Sequence, residues 1–255
     1  MKNYNLVKKD LKRYGFSNIE NFFSEAVCER YINKLEKILK TRQKKNHYVG
    51  SKNTIVLYNY FLEDLSLKNL FSNIVIDNYM KKIIDDDYVL ISAAARNKMK
   101  FDDKKKSFAS GNKWHTDNRY ISKKALKPSI NYFAIICLDN FSKINGATKY
   151  VPNSHKLSKR RKSSPNYKFL EAKKGSMIIM DSNLMHKAGN PSKLRRWSIF
   201  NLYAPWFVKP YFQFYNLIKK KKKLNSRDKK LLHFNSIPPT DFNKRRFTLQ
   251  KKNNK

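Results

Sequence analysis

The first half of the chain alternates between helical and strand-like spacing. Tyr14-Gly15-Phe16, Ile19 and Phe22-Phe23 predict a short extended lead-in. Ser24 then caps a helix with Glu25 in its first turn, and Val27, Tyr31, Ile32, Leu35, Ile38 and Leu39 recur at the spacing of one buried helical face. Lys40 to Lys52 is polar and reads as a loop, and Thr54 to Tyr58 as a strand. Leu65 to Phe71 and Ile74 to Ile84 predict two short helices. After Asp85-Asp86-Asp87 breaks the pattern, Tyr88 to Ala94 reads as a buried strand.

The second half is mostly strands. A polar loop, Phe101 to Gly111, leads into Trp114-His115-Thr116-Asp117. Apolar runs at Ile130 to Leu138, Thr148 to Val151, Met177 to Asp181 and Arg196 to Tyr203 predict strands. Asn145-Gly146, Gly175 and Gly189-Asn190-Pro191 mark turns between them. Helices followed by many short strands predict an α+β, mainly β protein: a sandwich or barrel with N-terminal helices packed on one sheet. Residues 1–205 form the expected domain, and 206–255 a basic, aromatic-rich extension packed on or flanking it. In that extension Trp206, Phe207, Tyr211, Phe212, Phe214 and Tyr215 precede Lys219 to Lys223, Ser226 caps a short helix through Leu231 and Leu232, and Pro238-Pro239 and Lys251 to Lys255 close the chain.

Charge changes this picture most. Fifty-six Lys and Arg against 19 Asp and Glu give the chain a net charge of +37, spread along its whole length. Such a surplus points to an anionic partner or, with equal weight, to compositional drift, since Lys and Asn are overused along the whole chain; it says nothing about fold. Cys28 and Cys137 fall in a helix and an apolar strand, so both are expected to be buried thiols, which suits a reducing compartment. The first residues, Met1 to Tyr14, are charged throughout and no run is long enough to span a membrane, so a cytoplasmic protein is expected, with peripheral contact at the inner membrane surface left open.

The candidate chemistry begins at His115 and Asp117. In a strand, residues i and i+2 point to one face, so the two side chains can converge on one metal ion. His186, shortly after the strand Met177 to Asp181, supplies a third ligand. Two histidines and one carboxylate are the ligand set of non-haem Fe(II) oxygenases; ligand types alone leave zinc, and a zinc hydrolase, open. Arg196 opens a strand ten residues after His186. Its planar fork suits the far carboxylate of a 2-oxo acid, and the spacing favours it over its neighbour Arg195.

These segments carry a resemblance. The chain resembles the phytanoyl-CoA dioxygenase family of Fe(II)/2-oxoglutarate oxygenases from about Gly15 to about Pro239. His115-Thr116-Asp117 stands for the family's His-x-Asp. Leu138-Asp139-Asn140, Asn145-Gly146-Ala147 and Pro152-Asn153-Ser154-His155-Lys156 resemble its "LD…NG…PGSHK" signature, with Asn153 where glycine is common. Gly175-Ser176 through Asp181, His186, Asn190 and Arg196 resembles the distal histidine segment. The resemblance implies a double-stranded β-helix (jelly-roll) core, with Fe(II) on His115, Asp117 and His186 and 2-oxoglutarate on Arg196. Thr116 and Asn97, at the end of a strand, are further candidate contacts to 2-oxoglutarate. It also implies consumption of O2 and release of succinate and CO2 as a substrate C–H bond is oxidised. Related halogenases replace the carboxylate ligand with a small residue; Asp117 is intact, which favours hydroxylation, with desaturation and epimerisation left open. His155 follows a turn in a segment that is not metal-binding in the family, and His47 and His233 sit in polar or terminal segments.

The substrate is expected to be an anionic small molecule, lipid or glycan. Lys156, Lys159, Arg160, Arg161 and Lys162 follow the "PGSHK"-like segment and would flank a barrel mouth. The aromatic residues before Lys219 are read first as core of the last strand and helix, with an interfacial anchor on an anionic membrane as the alternative. A competing class is a basic nucleic-acid- or membrane-binding protein with an inactive or secondary oxygenase core. Its only support is the charge, which gives salt-sensitive attraction to any polyanion; no compact nucleic-acid recognition signature is present, and no specific nucleic acid is expected.

Overall fold

The strand-forming runs assemble into two antiparallel sheets in the computed structural model, which describes residues 2–45, 47–51, 54–85, 87–98, 113–120, 129–157, 166–190, 192–218 and 223–236. The large sheet has seven strands in the order β1 (Phe16–Ile19), β8 (Met177–Asp181), β5 (Tyr132–Cys137), β10 (Trp197–Pro205), β4 (Tyr88–Asn97), β3 (Thr54–Tyr58) and β2 (Val49–Ser51). The small sheet has three, β7 (Lys168–Phe169), β6 (Lys149–Tyr150) and β9 (His186–Lys187), and a single bridge from His115 to His186 extends it by one position. The architecture is α+β, with a multi-stranded antiparallel sheet and N-terminal helices.

Alternation along β10 shows how the layers form. Trp197, Ile199 and Tyr203 face one apolar cluster, shared with helices α2 (Glu25–Lys44) and α3 (Ile74–Ile83). Phe200, Leu202 and Ala204 face a second cluster, completed by Phe133, Ile135, Ile178 and Met180 from the large sheet and by Phe141, Leu170 and Leu184 from the opposite side. The sheet is thus covered on both faces, and the second cluster is the interior between the two sheets. Polar groups on the helix-facing side are satisfied: Asn201 Nδ2 donates to the Leu70 carbonyl (2.7 Å) and the Tyr203 hydroxyl to that of Phe71 (2.7 Å).

Several expectations need correction. The charged N-terminus is a helix, α1 (Tyr4–Tyr14), capped by the Asn3 side chain, which accepts from the Asn5 N–H. Val7 is buried, while Tyr4 and Leu11 pack partly against the same cluster at helical spacing. It stops at Gly15, whose φ of +82° would strain any side chain and whose added Cβ would come within 2.7 Å of the His155 ring. Helix α2 continues to Lys44, through the stretch read as a loop, because Arg42 is held there by Glu63 (2.7 Å) and the Tyr58 carbonyl (2.7 Å). Leu65–Leu70 is a 3-10 helix, and β4 runs on past Ala94 to Asn97.

In the tail, Asn225 rather than Ser226 caps the last helix. Its side chain accepts from the Asp228 N–H (2.8 Å) while the Asp228 carboxylate accepts from the Asn225 N–H (3.1 Å), a reciprocal pair that Ser226 is too far along to make. That helix, α5 (Ser226–Leu231), and the preceding α4 (Phe214–Ile218) pack on the helix-side core through Phe214, Ile218, Leu231 and Leu232. Cys28 and Cys137 are buried free thiols. No helix of the described residues is long and apolar enough to cross a membrane. The Phe101 to Gly111 loop, Lys159 to Lys162, Lys219 to Lys222, Pro238-Pro239 and Lys251 to Lys255 lie outside the described residues.

Candidate metal centre

The two histidines are brought together by backbone pairing. His115 N–H donates to the His186 carbonyl (3.0 Å) and His186 N–H to that of His115 (2.9 Å), so the rings leave adjacent strands side by side, with centroids 4.4 Å apart. Asp117, two residues on, is fixed by its own N–H to the Ser182 carbonyl (3.0 Å), just beyond the end of β8. One ligand atom from each of His115, Asp117 and His186 lies within 4.8 Å of the others.

Both rings are set in the metal-binding tautomer. His115 Nδ1 lies 2.8 Å from the Lys113 carbonyl and His186 Nδ1 2.8 Å from the Leu184 carbonyl. A carbonyl oxygen only accepts, so each Nδ1 carries the hydrogen and each Nε2 presents a lone pair. Those lone pairs face a carboxylate: His186 Nε2 is 3.2 Å from Asp117 Oδ2 and His115 Nε2 is 3.9 Å from Oδ1. Oδ2 is buried with no hydrogen-bond donor. Two imidazole nitrogens and a carboxylate oxygen converging on one point are the donor set of a divalent metal ion, so the residues fit a bound metal ion. Three ligands also leave the remaining positions of an octahedral ion to small molecules.

The segment read as "PNSHK" acts as a brace for His186. Ser154 Oγ donates to the Val151 carbonyl (2.7 Å) and accepts from the Met185 N–H (2.8 Å) directly before the ligand. Asn153 holds φ at +61°, a left-handed conformation that glycine adopts freely and asparagine tolerates, which accounts for the exchange at this position. His155 is buried against Gly15, with Nε2 3.2 Å from the Lys12 carbonyl, and anchors the end of α1 far from any metal role. His233 is also structural: its Nε2 faces the Leu90 carbonyl at 2.9 Å and its Nδ1 lies 2.9 Å from Ser236 Oγ.

Arg196 and Arg195 go to opposite sides. Arg195 is on the surface, pairing with Glu29 (3.1 and 3.2 Å) and Asp139 (3.5 Å). Arg196 is 4% exposed, and its guanidinium stacks 4.1 Å above the ring centre of Phe141, in the cluster between the sheets. Its Nε and Nη1 have no acceptor among the described residues. Burial, reinforced by the nearby Arg96 charge, lowers its pKa to about 10, so it remains a cation at neutral pH. Thr116 is buried between the ligands with its hydroxyl unpaired. Asn97 stands opposite Trp197 in the ladder, on the face turned away from the interior, and its Oδ1 accepts from the Arg196 N–H (3.2 Å). It therefore reaches the site by holding the Arg196 backbone. Two residues not singled out in the sequence, Arg96 and Lys98, share the interior face with Arg196; a pair of cations at alternate positions directly after a buried strand was the available signal.

A two-histidine, one-carboxylate centre, with a buried arginine that lacks an acceptor for two of its donors among the described residues, is the donor set of a non-haem metal site. Residues 11–196 match the profile of the phytanoyl-CoA dioxygenase (PhyH) family, and the chain belongs to that family and to the Fe(II)/2-oxoglutarate-dependent superfamily around it. No curated protein sequence matches it. Among solved structures it is similar to the non-haem α-ketoglutarate-dependent epimerase SnoN from nogalamycin biosynthesis (TM-score 0.62, 14% identity, 88% of this chain and 92% of that one). It is also similar to EctD from S. alaskensis with bound Fe (0.65, 16%, 82% and 80%). A third is the carbocyclase SnoK, also from nogalamycin biosynthesis (0.61, 14%, 84% and 90%).

Proposed function

We propose that this protein is an Fe(II)- and 2-oxoglutarate-dependent dioxygenase that hydroxylates an aliphatic or sugar C–H bond of an anionic small molecule, lipid or glycan. On this reading the two sheets are the faces of a double-stranded β-helix, with the metal ligands on its small sheet. The observation that carries it is Arg196, a buried guanidinium with unpaired donors on the interior face, suited to the far carboxylate of 2-oxoglutarate. His115, Asp117 and His186 would hold Fe(II), which supplies the chemistry that couples O2 and 2-oxoglutarate, through decarboxylation to succinate and CO2, to oxidation of a C–H bond. The chain contributes position. Lys113 and Leu184 carbonyls orient the imidazoles, Ser154 braces the strand that carries His186, and Thr116 offers a hydroxyl beside the ligands. Hydroxylation is favoured over halogenation because Asp117 occupies the carboxylate position that a halide would need. The relatives include an epimerase and a carbocyclase, so the product must be identified directly.

The test is anaerobic addition of Fe(II) and then 2-oxoglutarate to the purified protein. A visible metal-to-ligand charge-transfer band, followed on exposure to O2 by succinate formation, is expected. A protein that binds neither, or that turns over no 2-oxoglutarate, would remove the assignment.

Peripheral attachment to an anionic membrane is a second element of the reading. Part of the tail's aromatic cluster is core, with Phe214 buried, but Trp206 and Phe207 are 38% and 66% exposed in the turn after β10. Aromatic side chains beside a basic run suit the headgroup region. The protein is expected to sediment with phosphatidylserine-containing vesicles at low salt, and Phe207→Ser to reduce that retention several-fold. Equal retention of both proteins would leave only diffuse charge attraction, and no retention would end the membrane reading.

A further inference from the structure

We infer that Arg96 and Lys98 build a second anion subsite next to Arg196, and that it takes a carboxylate, sulfate or phosphate group carried by the substrate that is oxidised. The inference rests on the Fe(II)/2-oxoglutarate reading and narrows its substrate class.

Register places both side chains in the interior. Arg96 stands opposite Ser198, and Ala94 opposite Phe200, so all four share the face that Phe200 turns to the inner cluster. The Arg96 guanidinium lies 4.7 Å from the centre of the Phe200 ring. Lys98 continues the ladder by donating its N–H to the Arg196 carbonyl (3.1 Å), which puts it on the face of Arg196. It is 2% exposed, with Nζ 3.4 Å from Thr54 Oγ1. The inner face therefore runs from Arg196 and Lys98 to Ser198 and Arg96, then Phe200 and Leu202. Beyond these comes the sheet end where the Ser182 carbonyl receives the Asp117 N–H. Arg96 stands one ladder step nearer to the metal end than Arg196.

Three cations share this enclosure, and among the described residues no carboxylate is within ion-pair distance of any of them. Arg96 Nε, like Arg196 Nε and Nη1, is buried without an acceptor. The repulsion is felt by Lys98, whose pKa falls to about 8 through burial and then through the charges of Arg196 and Arg96. Arg196 and Lys98 are buried, and Arg96 is half-buried with its Nε shut off from solvent; charges withdrawn from water in this way are costly unless a ligand completes them. The cosubstrate completes only part of the set. A metal dication with Asp117 and the near carboxylate of 2-oxoglutarate is neutral, and so is the far carboxylate with Arg196. Arg96 remains, with Lys98 beside it. Stacking on Phe200 occupies the face of its guanidinium and leaves its in-plane donors for a forked pairing with an oxyanion.

The probe is inorganic sulfate, titrated calorimetrically into anaerobic protein carrying Fe(II) and 2-oxoglutarate, in enough sodium chloride to screen surface lysines but not a buried site. Sulfate is expected to bind while the charge-transfer band persists. Arg96→Met is expected to weaken sulfate binding about tenfold or more, the worth of a charge-assisted hydrogen bond, while shifting 2-oxoglutarate affinity less than about threefold. Arg96→Lys, which keeps the cation and the stem, should recover part of the sulfate affinity and controls for folding. Two results overturn the inference alone: sulfate displacing 2-oxoglutarate, or Arg96→Met weakening 2-oxoglutarate as much as Arg196→Met does, which would make both arginines anchors of one carboxylate. Equal sulfate binding by wild type and Arg96→Met also overturns it, as an adventitious ion only. A wild-type protein without the band instead refutes the cosubstrate reading, and the inference with it.

Discussion

His115→Ala is expected to abolish the Fe(II)/2-oxoglutarate charge-transfer band and succinate formation while leaving the fold in place. The ring supplies one of three converging ligand atoms, and the remaining pair, Asp117 and His186, closes only one edge of the site. The loss should exceed the ~10–100-fold penalty typical of removing an outer partner that merely orients a ligand. Folding is expected to survive because the strand pairing at this point uses the His115 backbone, whose N–H and carbonyl both bond to His186. His155→Ala makes the contrast. That ring packs on Gly15 and meets the Lys12 carbonyl, so its loss should lower the melting temperature by releasing α1, with iron affinity unchanged in the protein that stays folded. Thermal melts and Fe(II) titrations on both variants separate the roles. A normal band in His115→Ala, or a lost one in folded His155→Ala, would mean the ligand set is wrong.

What the sequence disclosed follows how strongly local rules bind each residue. His115 and Asp117 were legible from their His-x-Asp spacing, but not by the expected strand alternation: His115 holds a single bridge position and Asp117 opens a 3-10 helix, so the backbone bonds to His186 and Ser182 bring the two side chains together. His186 and Arg196 were legible through their spacing, which also favoured Arg196 over Arg195; the structure turns Arg196 inward and leaves Arg195 on the surface. Asn97 was harder. Its face depends on the pairing of β4 with β10, and the irregularity between Leu202 and Tyr203 resets the count along the strand. Counting outward from the apolar run Tyr88 to Ala94 therefore could not say which of Arg96, Asn97 and Lys98 turn inward. The same uncertainty, in a chain with 56 basic residues in all, hid Arg96 and Lys98. Helix α1 was missed for another reason. Its apolar stripe of Tyr4, Val7 and Leu11 is one side chain wide and is flanked by lysines, so its helical period is outweighed by charge. The Asn225–Asp228 cap shows the limit of reading caps by residue type, since Asn225 and Ser226 are both good candidates and only geometry chooses between them.

Arg196→Met is expected to make the ligand-free protein more stable and to weaken 2-oxoglutarate binding by about two orders of magnitude, the scale of losing one member of a buried, forked ion pair. The two effects share one cause. Burial lowers the folded-state pKa of Arg196 to about 10, well below the ordinary guanidinium range. A base shifted downward on folding binds its proton less tightly in the native state, so it destabilises the fold at every pH below about 10, and that penalty fades only as pH rises from there towards the ordinary guanidinium range. At neutral pH the penalty is fully present, on the order of 3 kcal/mol. Stacking on Phe141 offsets ~0.5–2 kcal/mol of it. Methionine keeps an unbranched stem against that ring and carries no charge. A net gain of about 1–2 kcal/mol raises the melting temperature of a chain of this size by a few degrees. With Fe(II) and 2-oxoglutarate present the order should reverse, because only the wild type gains stability from tight binding by mass action. Arg196→Lys should fall between them in 2-oxoglutarate affinity, retaining a charge but losing the fork. Melting curves of wild type and Arg196→Met, with and without the two ligands, read all of this in one experiment. If the variant melts lower when ligand-free and keeps its 2-oxoglutarate affinity, Arg196 is a packing residue and the cosubstrate is anchored elsewhere.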